Sequence, residues 1–368
     1  YVHPLHNLAV VRYDPKQLGD TPVRAVRFAD RLPVTGETVN VVGLHADNRV
    51  VSQQATVASI GPVAFPLSRT LQFRDANLEV ISLVNGPADF DGLIADRHGD
   101  VVALWSSFAY ENGRELEQQN MGIPASMVQD MLEHARDGRP LYSAETEFGL
   151  LSLAEARRLG LGEQWIERLT AHNPERRQVL TIERLVAGSP AAASLVPGDL
   201  LLAVDGRVVN SFGDMSTAVG APRVELTLWR SGAELVVPLD TVLLSGHDID
   251  RVLIWAGATL QEPHRAIAAQ RGIRPDGIFI AFFMYGSPAS RYKLWAGRRI
   301  TEIDGIPVPD LDAFIRAVSG RPDHSSLRLK TVSWNDAVEV ITLRLDRHYW
   351  PAYELRRNAA GWQRVSLE

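Results

Sequence analysis

A repeat of domain size constrains this chain more than any other feature of its sequence. Two stretches begin with the same Gly-Ser-Pro-Ala turn, at Gly188 and at Gly286, and each passes through an apolar run to an Asp-Gly pair. The second turn lies 98 residues after the first, and the pair Asp304-Gly305 lies 99 residues after Asp205-Gly206. Two copies of one domain-sized unit are therefore predicted.

Both copies predict the same order of elements. An Asp-Gly pair between β-type runs predicts a hairpin, because glycine accepts the positive φ that such a turn requires. A helix follows in each copy, over 212–219 and 311–318, and the second shows apolar residues at the i, i+3, i+4 and i+7 positions of one face. Two further strands complete each copy, at 224–229 and 234–239 and at 326–332 and 337–345. Each copy is thus predicted to be a small, partly open barrel.

The run from Gly-Ser-Pro-Ala through Leu-x-x-Gly-Asp-x-Leu to Val-Asp-Gly resembles a PDZ domain of the circularly permuted kind found in HtrA-type proteases. The resemblance implies a groove between a strand and a helix, in which a peptide adds to the strand and an apolar-Gly-apolar loop holds its terminal carboxylate. Both copies have a candidate loop, although glycines in ordinary bends are the alternative. The residues predicted to bind peptide are Phe148, Gly149, Leu150, Met215 and Val219 in the first copy and Trp255, Ala256, Gly257, Ala258 and Phe314 in the second.

The first part of the chain predicts a different, all-β unit. Short apolar runs between residues 8 and 108, beginning with the strand-like run 8–11, are separated by Gly, Pro, Asn and Asp turns, as in a small barrel. A helix is predicted over about 126–136. The sequence Asp137-Gly138-Arg139-Pro140 ends that helix, and a new domain is predicted to begin there.

This first unit resembles a trypsin-like barrel at stretches 36–43 and 91–104. The resemblance implies that Phe90 stands where the nucleophilic serine belongs, that Asp91 lies in the oxyanion turn, and that Asn7 replaces the catalytic aspartate. Acyl transfer needs a hydroxyl nucleophile, a histidine base and an orienting carboxylate. We therefore predict an inactive barrel, and we expect the strand that would supply the histidine to lie upstream of Tyr1.

The C-terminal stretch His348-Tyr349-Trp350-Pro351 and the later Gly361-Trp362 are similar to the end of the duplicated HtrA-like proteases of fungi. The resemblance implies that this chain is the degenerate second half of such a protein. The fold class expected is mainly β with short helices (α+β), a partial trypsin-like barrel followed by two PDZ-like domains. The predicted domains are a pseudo-protease barrel at 1–138 whose N-terminal part is missing, PDZ-like domains at 139–245 and 246–347, and a tail at 348–368.

Composition excludes several classes of function. The net charge of −6 argues against nucleic-acid binding, which selects basic surfaces. The chain has no cysteine, which excludes disulfides, thiolate metal sites and cysteine nucleophiles. His3 and His6 have the spacing of a ligand pair, but we expect them to be exposed to solvent. No metal and no cofactor are predicted.

The sequence is compatible with three functions. The first is a non-catalytic scaffold of an HtrA-like serine endopeptidase whose PDZ groove binds C-terminal or unfolded apolar peptides. The second is an active protease completed by a missing segment or a partner chain, and the third is a purely structural oligomerisation module. The resemblance implies assembly as an oligomer or with an active protease half and, for a bacterial source, a periplasmic location. No apolar run approaches the roughly 18 residues of a membrane span, so none is predicted.

Overall fold

The structure, a computed structural model, describes residues 1–63, 65–66, 75–112, 115–244, 249–333 and 335–367. They form two compact units, the first made of 1–67, 75–183 and 193–246 and the second of 184–192 and 247–368. The first unit contains the barrel and most of the first PDZ-like repeat. The predicted boundary at 245/246 lies outside the described residues.

A closed barrel of six strands opens the fold, in the order β1-β2-β3-β6-β5-β4. Its strands are β1 (Thr38–Leu44), β2 (Val50–Pro62), β3 (Glu79–Val84), β4 (Asp91–Ala95), β5 (Val101–Asn112) and β6 (Glu115–Pro124). Alternate side chains such as Val39 and Val41 are buried in its core, as the period of a strand requires. Helix α1 (Ala125–Asp137) follows and ends at Gly138, whose φ of 64° is left-handed. This part of the chain folds as its sequence predicts.

The strand-like run at the start of the chain was expected to be part of the barrel, and that expectation is wrong. Among residues 8–11, Ala9 makes a single antiparallel bridge to Val2, and no extended strand forms. A short 3₁₀ helix, Pro15–Leu18, follows. Apolar composition alone does not make a strand where no neighbouring edge is available for pairing.

The first PDZ-like repeat follows the barrel within the first unit. Its strands are β7 (Leu141–Ser143), β8 (Thr146–Ser152), β9 (Gln178–Leu185), β10 (Leu200–Val204), β11 (Arg207–Val208), β12 (Arg223–Arg230), β13 (Ala233–Asp240) and β14 (Val242–Leu244). Its helices are α2 (Leu153–Arg158), α3 (Glu163–His172), α4 (Pro190–Ser194) and α5 (Phe212–Ala218). The main sheet has the order β13-β12-β10-β9-β8, with β11 paired to β10.

The second PDZ-like repeat forms most of the second unit. Its strands are β15 (Arg251–Trp255), β16 (Ala258–Gln261), β17 (Ile278–Phe283), β18 (Arg299–Ile303), β19 (Ile306–Pro307), β20 (Ser326–Val332), β21 (Val338–Arg344), β22 (Tyr353–Asn358) and β23 (Gly361–Ser366). Its helices are α6 (Arg265–Arg271), α7 (Pro288–Arg291) and α8 (Leu311–Val318). The sheet has the order β21-β20-β18-β17-β16-β15-β22-β23.

The two sheets repeat one pattern, in which β8, β9, β10, β12 and β13 correspond to β16, β17, β18, β20 and β21. The Asp-Gly pairs form the predicted hairpin turns. Asp205 and Gly206 have φ of 47° and 74°, and Asp304 and Gly305 have φ of 51° and 84°. Both central residues of a type I′ turn require positive φ, which explains this dipeptide at both sites.

The repeats differ in the strand that precedes the predicted binding strand. In the first repeat, β7 pairs with β14 in a separate two-stranded sheet, so β8 lies at the end of the main sheet. In the second, β15 forms a hairpin with β16 and also pairs with β22, which pairs with β23. The stretch predicted as a tail therefore contributes two strands to the second sheet.

Among the helices of the described chain, none combines the length and the apolar character that crossing a membrane requires.

Candidate peptide-binding groove

Strand β8 forms one wall of the predicted groove in the first repeat. Phe148 and Gly149 are buried and Leu150 is half-buried, and all three lie inside the strand. The loop that we expected around Gly149 is therefore absent from this place, since Gly149 has no positive φ and the left-handed residue is Glu145, one position before the strand. A Cβ on Gly149 would meet the carboxylate of Glu183 on β9 at 2.2 Å, so a small residue is favoured by close packing.

Helix α5 forms the opposite wall. Its N-cap residue Ser211 accepts a hydrogen bond from Asp214 N at 3.0 Å, which fixes the start of the helix. Met215 and Val219 are buried and line the space between the helix and β8. Methionine adapts its shape to irregular apolar partners, so this wall suits a variable side chain.

A cavity of about 840 Å³ lies between these walls and the barrel. Phe148, Met215 and Val219 give it an apolar part, whereas Asn77 and Arg176 give it polar groups. Its volume falls within the range of about 300–1,000 Å³ that is typical of ligand sites. Three of the five residues predicted to bind peptide in the first repeat therefore line this cavity.

Two barrel residues contact the groove, namely Glu79, the first residue of β3, and Asn77, two positions before it. The side-chain amide of Asn77 donates to Thr146 O at 2.8 Å and accepts from Phe148 N at 2.8 Å. The carboxylate of Glu79 accepts from Phe212 N, the first residue of α5, at 3.3 Å, and it also pairs with Arg176. Sequence reasoning missed both residues, because they lie in the barrel, and Asn77 is 71 positions from Phe148.

The barrel segment that carries Asn77 is anchored near the start of the chain. Asp75 accepts a hydrogen bond from Asn7 N at 3.1 Å and lies 3.6 Å from His6 Nδ1. Asn7, which we expected to replace a catalytic aspartate, here positions this segment through its backbone. The described contacts of Asn7 do not bring it to Phe90.

The groove of the second repeat contains a strand of its own chain. Trp255, Ala256, Gly257 and Ala258 form the turn between β15 and β16, with φ of 51° at Ala256 and 79° at Gly257. Gly257 admits no side chain, because a Cβ there would lie 2.1 Å from Cβ of Ser287. The peptide-binding role of these residues and of Phe314 stays a prediction, and β16 is already paired on both edges.

The barrel position that resembles a nucleophile is apolar and buried. Phe90 is 9% exposed and belongs to the barrel core with Val41, Ile94 and Trp105. Asp91 begins β4 beside it and is exposed. A benzyl side chain has no atom that can attack a carbonyl carbon, so this position cannot supply acyl-transfer chemistry.

An acid–histidine group that the sequence did not suggest lies beside Phe90. His45 Nδ1 is 3.3 Å from a carboxylate oxygen of Asp47, and its Nε2 is 3.6 Å from one of Asp89. Both ring nitrogens therefore face carboxylates. A serine-protease arrangement needs a hydroxyl at one of these nitrogens.

His3 and His6 are buried, at 8% and 7% exposure, so the expectation that they face solvent is wrong. His3 Nδ1 accepts hydrogen bonds from Leu5 N and His6 N, both at 3.1 Å, and the two rings lie 4.7 Å apart. Burial, followed by the neighbouring His6 and His134, lowers the pKa of His3 to about 3. Within the described chain, no group of three or more His, Asp or Glu side chains is arranged to hold a metal ion.

Comparisons with known proteins connect the chain to serine proteases. No family model matches it. It is 32% identical over 412 residues to Protease Do-like 7 of Arabidopsis thaliana, a match that spans 100% of this chain and 37% of that protein. It is 30% identical over 381 residues to the pro-apoptotic serine protease NMA111 of Phaeosphaeria nodorum, again over 100% of this chain and 37% of the relative. The chain thus spans less than two fifths of these relatives.

Two further known proteins are similar to the chain. A PDZ domain-containing protein of Schizosaccharomyces pombe is 29% identical over 377 residues, covering 100% of this chain and 38% of that protein. A solved structure of the HtrA-type protease AlgW with a tripeptide aligns at 16% identity and a TM-score of 0.39, over 60% of this chain and 70% of that chain.

Proposed function

The chain belongs to the HtrA family of serine proteases, and on that premise we propose that it is a non-catalytic, peptide-binding and scaffold part of such a protease. The observation that carries the proposal is the groove between β8 and α5. Its strand β8 lies at the end of a sheet, where its main chain can pair with a peptide backbone. The cavity beside β8 has an apolar part.

Strand addition is the binding mode that this groove supports. Thr146 O and Phe148 N of β8 are hydrogen-bonded to the Asn77 side chain, so the main chain of β8 has hydrogen-bonding groups directed away from its own sheet. An extended peptide would pair with these groups and place one apolar side chain against Met215 and Val219. A few main-chain hydrogen bonds and one buried side chain give roughly micromolar affinity.

The barrel serves as a scaffold in this proposal. Phe90 fills the core where a nucleophile would stand, and the carboxylates around His45 leave both of its nitrogens facing acids. We therefore propose that any proteolysis by the whole protein occurs outside this chain.

The second repeat has a structural role in this proposal. Its edge position beside β16 is taken by β15, and Trp255 on that strand packs edge to face against Phe314 of α8, with ring centroids 5.3 Å apart. A peptide would have to displace a strand that is also paired to β22. We therefore propose that peptides bind at the first repeat alone.

Two assays on the full chain test the proposal. A short labelled peptide ending in Leu should bind with roughly micromolar affinity in a fluorescence anisotropy titration. Met215→Ala, which removes part of the apolar wall, should weaken binding several-fold. Met284→Ala is the matched control, because Met284 is 39% exposed and lies in the second unit.

Catalysis is tested on the same preparation. Unfolded casein should remain intact, and a fluorophosphonate that labels active serines should not react. Turnover or labelling would support the alternative of an active protease. Failure of every apolar peptide to bind would instead support a structural module.

A further inference from the structure

The start of β3 faces two parts of the first unit at once. Asn77, two positions before β3, and Glu79, its first residue, direct their side chains to the groove, whereas Leu78 between them points into the barrel. Leu78 is 1% exposed and packs in a barrel cluster with Val63 and Val80. The other side meets the groove, where Asn77 contacts β8 and Glu79 contacts α5.

These two contacts occupy both walls of the groove. Asn77 satisfies Thr146 O and Phe148 N, which are the kind of groups that a peptide backbone would pair with during strand addition. Glu79 accepts from Phe212 N at the start of α5 and pairs with Arg176. We propose that residues 77–79 are an internal occupant of the groove, and that a peptide binds by displacing the Asn77 amide from β8. This inference rests on the peptide-binding function proposed above.

The local conformation of Asn77 fits such a role. Its φ is 54°, a left-handed value that asparagine adopts more readily than most residues. The side-chain amide of Asn77 has both a donor and an acceptor, so it can take the place of the donor and acceptor of a peptide unit. The contact therefore imitates the ligand chemically while holding the barrel against the groove.

The strength of the contact predicts a modest effect on peptide binding. A typical neutral hydrogen bond makes a small net contribution to stability, and the peptide must replace two of them. Removing the Asn77 side chain should therefore tighten peptide binding roughly tenfold. Residues 77–79 therefore weaken peptide binding but do not prevent it.

The test compares wild type, Asn77→Gly and Asn48→Gly in the full chain. Glycine keeps the left-handed backbone at both positions, where φ is 54° and 63°, so the two substitutions have matched backbone effects. Asn48 lies in the turn between β1 and β2 and does not line the groove cavity. Titration with the labelled peptide ending in Leu should show roughly tenfold tighter binding for Asn77→Gly and no change for Asn48→Gly.

A second readout separates this proposal from the proposed function. Amide hydrogen exchange at Phe148 without peptide should be slow in wild type and at least several-fold faster in Asn77→Gly. Equal peptide affinity, or weaker affinity, in Asn77→Gly would overturn the internal occupant and leave the peptide-binding function standing. Absence of peptide binding in both proteins would overturn the function itself, whatever the exchange rate.

Asn77→Asp provides the test if the glycine variant fails to fold. Aspartate keeps the acceptor for Phe148 N but loses the donor to Thr146 O, and it places a carboxylate against a carbonyl oxygen. Because the repulsion from Thr146 O should move this side chain away from β8, we expect faster exchange at Phe148 and tighter peptide binding than in wild type. Wild-type values for both would overturn the proposal.

Discussion

Trp255 and Phe314 pack edge to face in the second unit, with their ring planes at 90° and their centroids 5.3 Å apart. Trp255 ends β15, and Phe314 lies on α8 and is fully buried. The indole therefore occupies the space between strand and helix where the resemblance to PDZ domains implies that a peptide side chain would bind. In the first repeat, Met215 on the corresponding helix α5 lines a cavity instead.

Replacing Trp255 should destabilise the second unit strongly. Trp255→Ala removes a side chain that is 2% exposed, and large-to-alanine changes in a core cost about 3–5 kcal/mol. Thermal unfolding followed by circular dichroism should show a much lower midpoint for this variant. Trp362→Ala is the matched control, since Trp362 is 51% exposed on β23 and should change the free energy of unfolding little. Equal midpoints for the two variants would contradict the packing described.

Restoring the protease motif should fail to restore activity. Phe90→Ser with Asn7→Asp supplies a hydroxyl and a carboxylate, but the described contacts of Asn7 lead to Asp75 and do not bring it to Phe90. The serine should also lower the free energy of unfolding by about 3–5 kcal/mol, because it leaves a cavity in the barrel core. Peptide cleavage by a folded double variant, checked by circular dichroism, would refute our assignment of Phe90.

Burial of His3 should make the first unit sensitive to mild acid. Burial lowers the pKa of His3 from 6.5 to about 3, so the folded state favours the neutral ring. The resulting stability is complete above about pH 6.5 and is lost as the pH falls toward about 3. His3→Asn keeps an acceptor near the position of Nδ1 but does not titrate. As the pH is lowered, the thermal unfolding midpoint of this variant should therefore fall less steeply than that of wild type.

If His3→Asn kept the wild-type dependence of the unfolding midpoint on pH, the buried neutral state of His3 would be refuted.

Local sequence signals predicted most of the repeated architecture. The Asp-Gly turns, helix α5 and helix α8 depend on φ preference and apolar spacing within a few residues, so they could be recognised without the fold. The sequence did not predict in the same way that the edge strand is covered in the second repeat and not in the first. Whether β7 or β15 covers the edge of the next strand depends on pairing with β14 or β22, about a hundred residues away in the chain.

The candidate site shows the same limit. Phe148, Met215 and Val219 were predicted from their place in the repeat, and they line one cavity. Asn77 carries no local signal, because its effect depends on the barrel packing against a strand 69 to 71 residues later. His3 was expected to be exposed for a related reason, since its polarity is local but its burial is a property of the folded unit.

A calorimetric titration with N-methylated peptides tests strand addition to β8 most directly. The full chain is titrated with one apolar peptide ending in Leu, and then with versions in which a single backbone amide carries a methyl group. Alternate N–H groups of an added strand face β8, so methylation at alternate positions should abolish binding and methylation between them should not. Roughly micromolar binding with this alternation is the result that we predict. Equal binding of every methylated peptide, or no binding of the unmodified one, would contradict the proposed groove.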